Sequence, residues 1–247
     1  MIKKSALCSL LCCLLASAAL SEEFHWSYEG KDSPEHWGKI AAEFSTCQTG
    51  HNQTPIDITH YIQAKYPKKI AFHYDDGIES VINNGHTIQA NFKEESGSYI
   101  ELNGHQYRLL QFHFHSPSEF LIDSKQYPLE MHLVHQDADG YLLVVGIQFQ
   151  AGKENKILAP IWEIMPQKDK TSSVKKIDLN KLMPNKPRFF EFGGSLTTPP
   201  CNEGVTWIML QEPLEISKAQ IEKFQKTMGG PTNRPLQPRN NRIIVQH

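Results

Sequence analysis

The run Gln-Phe-His-Phe-His at residues 111–115 is the sequence feature that most constrains how this chain can fold. Its alternation of polar and aromatic residues predicts a β-strand, because successive side chains of a strand point to opposite faces. Gln111, His113 and His115 would therefore share one face, while the two phenylalanines share the other. A strand with this pattern separates an apolar face from a face that carries two imidazoles.

A second run, Leu-Glu-Met-His-Leu-Val-His at residues 129–135, predicts a neighbouring strand with Glu130 and His132 on one face. If the two strands are antiparallel neighbours, His132 lies beside the first pair of histidines. A structural zinc site normally closes its tetrahedron with a fourth side chain, whereas a catalytic site keeps three protein ligands and one open position. Three histidines therefore predict an open catalytic metal site, and with it an enzyme.

Glu119 leaves the choice of metal open at this point. The spacing His113-x-His115-x-x-x-Glu119 also matches the first motif of the cupins, in which the glutamate joins the histidines around iron or manganese. In a cupin the last histidine follows a Pro-x-Gly turn, whereas His132 follows Pro-Leu-Glu-Met. The cupin interpretation is therefore the weaker alternative.

Strand-like runs separated by turns dominate the rest of the chain. The clearest strands are predicted at residues 107–115, 129–136 and 141–149, and the last two are joined by Asp-Ala-Asp-Gly, which favours a hairpin. One helix is evident after Ser217, which resembles a capping box with Gln220. We therefore predict a mainly β (α+β) fold with a large, mostly antiparallel, twisted central sheet and short peripheral helices.

Composition favours one globular domain. The chain has 247 residues, of which 39% are hydrophobic, enough to build one sizeable core. The formal net charge of −2 and the scattered lysines give no indication of a nucleic-acid partner. We expect no such partner.

Residues 1–18 are typical of a signal peptide. Two lysines precede an apolar stretch that ends in Ala-Ser-Ala, a small-residue cleavage motif. We therefore predict an exported protein, periplasmic or secreted, with one domain at residues 19–247. No later segment is long and apolar enough to predict a transmembrane span.

Cysteine usage agrees with export. Three of the five cysteines lie in the apolar stretch of the leader, so the mature protein keeps Cys47 and Cys201. A pair of cysteines in an oxidising compartment is most simply a disulfide. Two buried free thiols are the alternative if the protein is not exported.

The segment Ser-Leu-Thr-Thr-Pro-Pro-Cys at residues 195–201 adds two hydroxyl groups on a proline-bounded turn. Alone it would be interpreted as a surface turn. Together with both histidine runs, Asn-Asn-Gly-His at 83–86, His-Trp-Ser-Tyr at 25–28 and Val-Thr-Trp at 205–207, it closely resembles the α-class carbonic anhydrases. The matches follow the order of that family from about residue 24 to residue 242, and the exported form with one disulfide is similar to its bacterial members.

The resemblance implies a zinc cofactor and the reversible hydration of carbon dioxide to bicarbonate and a proton. His113, His115 and His132 match the zinc ligands. Gln111 and Glu130 match residues that orient the ligand imidazoles. Sulfonamides and anions are the inhibitors that such a zinc site implies.

The remaining site residues also follow from the resemblance. Thr197 matches the hydroxyl that orients zinc-bound hydroxide and hydrogen-bonds to Glu119, and Thr198 matches a neighbour on the substrate side. The implied carbon dioxide pocket is apolar and is lined by Val134, Val144, Leu196 and Trp207. Val134 lies two residues after His132 and therefore shares its face of the strand.

The resemblance further implies a proton shuttle. His86 matches the histidine that passes protons to solvent, and Tyr28 and Asn84 match residues that organise the intervening water. The alternative interpretation of His86 is an ordinary loop histidine. For the whole chain, the second functional class is a catalytically silent binding module of the same fold, which the presence of all three zinc histidines disfavours. The sequence leaves open whether the protein forms an oligomer.

Overall fold

The computed structural model describes residues 24–174 and 176–247. The predicted signal peptide at residues 1–18 and the predicted domain start at residue 19 lie outside the described residues. Within them, no helix is both long enough and apolar enough to cross a membrane.

Strands provide the framework of the described chain. The two histidine runs lie on neighbouring strands at the centre of the sheet, as predicted. In chain order the strands are β1 (Asp57–Ile58), β2 (Ile62–Gln63), β3 (Ile70–His73), β4 (Ile78–Asn83), β5 (Ile88–Phe92), β6 (Tyr99–Leu102), β7 (His105–His115), β8 (Leu121–Ile122), β9 (Leu129–Gln136), β10 (Leu142–Ala151), β11 (Lys170–Ser172), β12 (Phe189–Ser195), β13 (Glu203–Leu210), β14 (Leu214–Ile216) and β15 (Val245–Gln246).

The helices are short and peripheral, as predicted. They are α1 (Trp37–Ile40), α2 (Thr46–Thr49), α3 (Ala159–Ile164) and α4 (Lys218–Met228), with 3-10 turns at Gly30–Asp32, Ala42–Phe44 and Leu179–Leu182. The predicted capping box of α4 is present, because Ser217 Oγ accepts a hydrogen bond from the backbone N–H of Gln220 at 3.2 Å. Gly229 ends this helix in the left-handed conformation, with φ of 80°.

One mixed sheet of 13 strands organises the fold. Its main path runs β11-β4-β5-β7-β9-β10-β13-β12-β15-β2, with β6, β3 and β14 attached to its sides. The pairs β10–β13, β10–β14 and β15–β2 are parallel, and the other pairs of this sheet are antiparallel. A separate parallel pair joins β1 to β8. The prediction of a large, mostly antiparallel sheet is therefore confirmed.

The larger hydrophobic cluster covers one face of the two histidine strands. Phe112 and Phe114 of β7 and Met131 and Leu133 of β9 are fully buried in it. A slip of one residue between these strands would exchange the faces and expose the apolar side chains. The burial of this face therefore fixes which side chains appear on the opposite face.

His135 is a buried histidine on the core side of β9. Its side chain is fully buried, and its Nε2 lies 3.1 Å from the hydroxyl of Tyr74. Burial lowers the pKa of His135 to about 3, because the charged imidazolium is poorly solvated there. The folded protein therefore keeps this imidazole neutral where an unfolded chain would begin to protonate it.

We expect His135 to make the folded state sensitive to acid. Because its folded pKa lies below the unfolded value of about 6.5, the contribution of His135 to the free energy of unfolding is complete above that pH and is lost as the pH falls towards about 3. Urea unfolding of the wild type and of His135→Gln between pH 4.5 and 7.5 measures this contribution. The free-energy difference between them should change by up to about 1.4 kcal/mol per pH unit. A difference that is independent of pH would contradict this expectation.

Candidate metal centre

The antiparallel register of β7 and β9 assembles three histidines on one face. His113 lies opposite His132, and the ring centroids of these two residues are 5.3 Å apart. The His115 ring lies 4.7 Å from that of His132 and 5.0 Å from that of His113. One nitrogen from each ring falls within 4.8 Å of the others, so the three residues form a compact metal-binding group.

Each imidazole has one ring nitrogen held by an oxygen of the protein. The contacts are His113 Nδ1 to Gln111 Oε1 at 2.8 Å, His115 Nδ1 to the Thr232 carbonyl oxygen at 2.6 Å, and His132 Nε2 to Glu130 Oε1 at 2.6 Å. A neutral imidazole that donates through one nitrogen presents a lone pair on the other. The lone pairs therefore belong to Nε2 of His113, Nε2 of His115 and Nδ1 of His132.

The unused nitrogens fit a metal ion. Nε2 of His115 is buried and has no hydrogen-bond partner among the described residues, an arrangement that a ligand at this position would relieve. Burial lowers the pKa values of His113 and His132, and the neighbouring His115 lowers both further. Neutral imidazoles are the form that binds metal ions. The donor set therefore suits a cation held by three nitrogens.

Glu130 is itself held by a residue that the sequence did not single out. Its Oε2 accepts a hydrogen bond from Gln148 Nε2 at 3.1 Å, and Gln148 lies directly opposite it in β10. Burial raises the pKa of Glu130 to about 7, while the bond from Gln148 acts in the opposite direction. The only sequence signal for Gln148 is that it is one of two glutamines in an otherwise apolar strand.

Glu119 lies beside the histidines without joining them. Its Oε1 accepts the backbone N–H of Arg234 at 2.8 Å, and its Oε2 lies 3.6 Å from His115 Nε2 and 3.9 Å from His132 Nδ1. The compact group of potential ligands contains the three histidines and does not include this carboxylate. Burial raises the pKa of Glu119, whereas His115, the N–H of Arg234 and the hydroxyl of the buried Thr197 lower it. Among the described residues the metal-binding group is the three histidines alone, which does not match the cupin arrangement with glutamate as a ligand.

An apolar cluster adjoins the histidine group. Val134 pairs with Val144 across β9 and β10, and Val144 pairs with Trp207 across β10 and β13. Leu196 packs against the same cluster, and the Trp207 ring lies 4.8 Å from that of His132. All four residues expected to line the pocket therefore come together beside the site.

A disulfide supports the loop that carries the two threonines. Cys47 and Cys201 are bonded with their Cα atoms 4.9 Å apart, which confirms the predicted pair. The backbone N–H of Cys201 donates to the carbonyl oxygen of Thr198 at 2.9 Å. This bond closes the turn between the half-buried Thr198 and the disulfide.

His86 lies at a cavity of about 940 Å³ that Trp26, Tyr28 and Thr232 also line. Its ring stacks on that of Trp26, with the centroids 3.7 Å apart and the planes 9° apart. Asn84 Oδ1 accepts the backbone N–H of His86 at 3.0 Å and so shapes the loop. Burial lowers the pKa of His86 to about 4, and the nearby His25 and Lys168 act in the same direction. In this orientation the imidazole is mostly unprotonated at neutral pH.

The segment at residues 231–241 contributes more to the site than the sequence indicated. It has no regular secondary structure as far as residue 239, yet it packs into the interior, because Thr232 and Arg234 are buried. These two residues supply the carbonyl for His115 and the backbone N–H for Glu119. In the sequence, the one indication of this role was an arginine between prolines, and nothing in its spacing related it to the histidines.

The chain matches the family model described as eukaryotic-type carbonic anhydrase over residues 32–247. The chain belongs to the carbonic anhydrase family. It is 46% identical over 224 residues to a carbonic anhydrase of Klebsiella pneumoniae, covering 90% of this chain and 91% of that protein. It is 42% identical over 243 residues to a carbonic anhydrase of Neisseria gonorrhoeae, covering 98% and 96% of the two chains.

A solved structure supports the same conclusion. The α-carbonic anhydrase of Thermovibrio ammonificans, in complex with the inhibitor sulfanilamide, superimposes with a TM-score of 0.86 at 42% identity. The match covers 90% of this chain and 98% of that chain. With the histidine group intact, this carbonic anhydrase family member is an enzyme that hydrates carbon dioxide reversibly. The alternative of a catalytically silent binding module is not favoured.

We expect Gln111→Ala to weaken metal binding without unfolding the protein. The substitution removes the acceptor that fixes Nδ1 of His113, and the loss of such a partner typically lowers metal affinity by about 10–100-fold. Competition with a chelator, with Co²⁺ as the probe metal, measures the affinity. Gln106→Ala, at an exposed position of the same strand, is the matched control and should bind Co²⁺ like the wild type. Equal affinities for all three proteins would contradict the expectation.

Proposed function

We propose that the resident metal is zinc and that His113, His115 and His132 hold it as three neutral ligands. The observation that carries the proposal is the convergence of three imidazole nitrogens, each fixed from behind by a hydrogen bond of its other ring nitrogen. Three histidines with an open fourth position are the donor set of a catalytic zinc site. When bound, zinc lowers the pKa of a water molecule to about 7 and thereby supplies hydroxide at neutral pH.

Thr197 and Glu119 orient the nucleophile in this proposal. The N–H of Arg234 occupies one oxygen of Glu119, which leaves the other facing the histidines. We assign the proton of the Thr197 hydroxyl to this second oxygen. The threonine oxygen then acts only as an acceptor on its free side, so it selects the orientation in which a lone pair of the nucleophile faces the substrate.

Carbon dioxide is apolar, and the apolar cluster beside the histidines suits it. Val134, Val144, Leu196 and Trp207 present hydrocarbon surface next to His132. Thr198 adds a polar group on the substrate side. Such a wall holds the substrate carbon near the nucleophile without binding the product anion strongly, which allows bicarbonate to leave.

Proton removal is assigned to His86, with Tyr28 and Asn84 organising the water between it and the metal. While His86 is stacked on Trp26, its pKa of about 4 makes it a poor acceptor at pH 7. We therefore propose that its ring swings off Trp26 into the adjoining cavity. Relief of burial there returns the pKa towards about 6.5, where an imidazole both accepts and releases protons.

The proposal also covers the inhibitors, the cellular location and the substrates. Sulfanilamide is bound by the Thermovibrio ammonificans relative, and we propose that sulfonamides and small anions inhibit this enzyme through its metal. The Cys47–Cys201 disulfide supports export to an oxidising compartment, periplasmic or extracellular. Carbon dioxide and bicarbonate are the substrate pair.

We expect the purified protein to contain one zinc ion and to hydrate carbon dioxide. Metal analysis joined to stopped-flow hydration measures both properties. His115→Ala removes one of the three nitrogens, so it should weaken zinc binding and abolish hydration. Zinc-loaded wild type without hydration activity would overturn the proposed mechanism. Full activity of the protein carrying another metal, with zinc excluded, would overturn the choice of zinc.

We expect His86→Ala to slow turnover in weakly buffered solution and added imidazole to restore it. Free imidazole can replace the missing group because its proton affinity matches that of the relay. The measurement is kcat for hydration at low buffer concentration, with and without imidazole. Trp26→Leu is the companion variant, in which loss of the stacking partner should raise the pKa of His86. Equal turnover of wild type and His86→Ala without imidazole would remove the shuttle role.

A further inference from the structure

Arg234 is a buried arginine that no step of the proposed mechanism uses through its side chain. It is 1% exposed, and its guanidinium lies 5.8 Å from the centre of the Trp37 ring. Burial lowers the pKa of Arg234 to about 10, while the charge of Glu119 acts in the opposite direction. The side chain therefore remains charged at neutral pH in the interior of the protein.

The guanidinium binds three oxygens from a part of the chain that is distant in sequence. Nη1 donates to Gln53 Oε1 at 2.9 Å and to the carbonyl oxygen of Thr54 at 2.8 Å. Nη2 donates to the carbonyl oxygen of Cys47 at 2.9 Å, next to the disulfide. The rigid planar fork of an arginine holds such a set of acceptors in a defined orientation.

The backbone of the same residue contacts the site. Its N–H donates to Oε1 of Glu119, and two residues earlier the carbonyl oxygen of Thr232 accepts from His115. No helix or strand fixes residues 231–239, so no ladder of backbone hydrogen bonds positions this N–H. Backbone hydrogen bonds hold the segment on either side, from the N–H of Thr232 to the carbonyl oxygen of Ser116 and from the N–H of Gln237 to that of Pro55. Between these two points, the side-chain anchor of Arg234 supplies a position that regular secondary structure would otherwise provide.

We propose that Arg234 is a positioning residue for the hydration reaction: its guanidinium, held by Gln53, Thr54 and Cys47, fixes the backbone N–H that orients Glu119. The inference rests on the proposed function, in which Glu119 orients Thr197. Arg234 does not touch the substrate. It acts through one oxygen of Glu119, which leaves the second oxygen to accept from the threonine hydroxyl.

A double-mutant cycle tests the coupling between Arg234 and Glu119. Arg234→Met keeps the length of the side chain and removes its donors, and we expect kcat to fall by about 10-fold or more with little change in KM. Glu119→Gln should lower kcat by about 100-fold. If Arg234 acts through Glu119, the double variant should fall within about threefold of Glu119→Gln alone.

Arg242→Met is the matched control. Arg242 directly follows the segment at residues 231–241 and is 9% exposed, and its guanidinium donates to the carbonyl oxygens of Arg239 and Pro238. It makes no hydrogen bond to Glu119. We expect this variant to lower thermal stability as Arg234→Met does, but to leave kcat unchanged. A similar fall in kcat for both arginine variants would mean general destabilisation and would overturn the inference.

A second readout is independent of turnover. In Co²⁺-substituted protein, the visible absorption spectrum reports the coordination geometry, and Arg234→Met should change it while Arg242→Met should not. If Arg234→Met does not fold, Arg234→Lys replaces it in every measurement, because it keeps the charge and loses the fork. An unchanged spectrum together with additive effects in the cycle would overturn the role of Arg234. If Glu119→Gln alone leaves kcat unchanged, the proposed role of Glu119 fails instead.

Discussion

The pairing of β7 with β9 is the constraint on which the rest of the structure depends. Burial of Phe112 and Phe114 against the large core selects one of the two possible faces, and the register with β9 then places His113 opposite His132. Because side chains alternate along both strands, the same burial that stabilises the sheet also gathers the imidazoles on the other side. The metal site is thus a consequence of how the core packs.

For each of the three histidines, a hydrogen bond to one ring nitrogen determines that the other nitrogen is free to bind a metal ion. An imidazole can present either nitrogen, and the choice is made here by acceptors of different origin. Gln111 lies on the same strand as its histidine, and so does Glu130, at two-residue spacing. The third acceptor, the carbonyl oxygen of Thr232, comes from the extended C-terminal segment. Two orientations are therefore local properties of the strands, and one depends on the whole fold.

Local sequence patterns predicted much of this architecture. Alternation located the two histidine strands, a four-residue turn located the hairpin that follows β9, and Ser217 with Gln220 located the start of α4. The parallel pairing of β10 with β13 and the role of the C-terminal segment could not be predicted in this way. Both depend on contacts between residues far apart in sequence, which leave no periodic signal in either partner.

The sequence by itself determined the three imidazoles, the shared strand face of His113 and His115, and the two acceptors on the same strands as their histidines, because a period of two residues follows from backbone geometry alone. Only the tertiary structure decided that Glu119 lies beside the metal group and outside it, and that Arg234 and Thr232 support it from a distant segment. It also decided that His86 stacks on Trp26. The physical reason is that each of these contacts joins residues far apart in sequence, which come together only when the core packs and buries them.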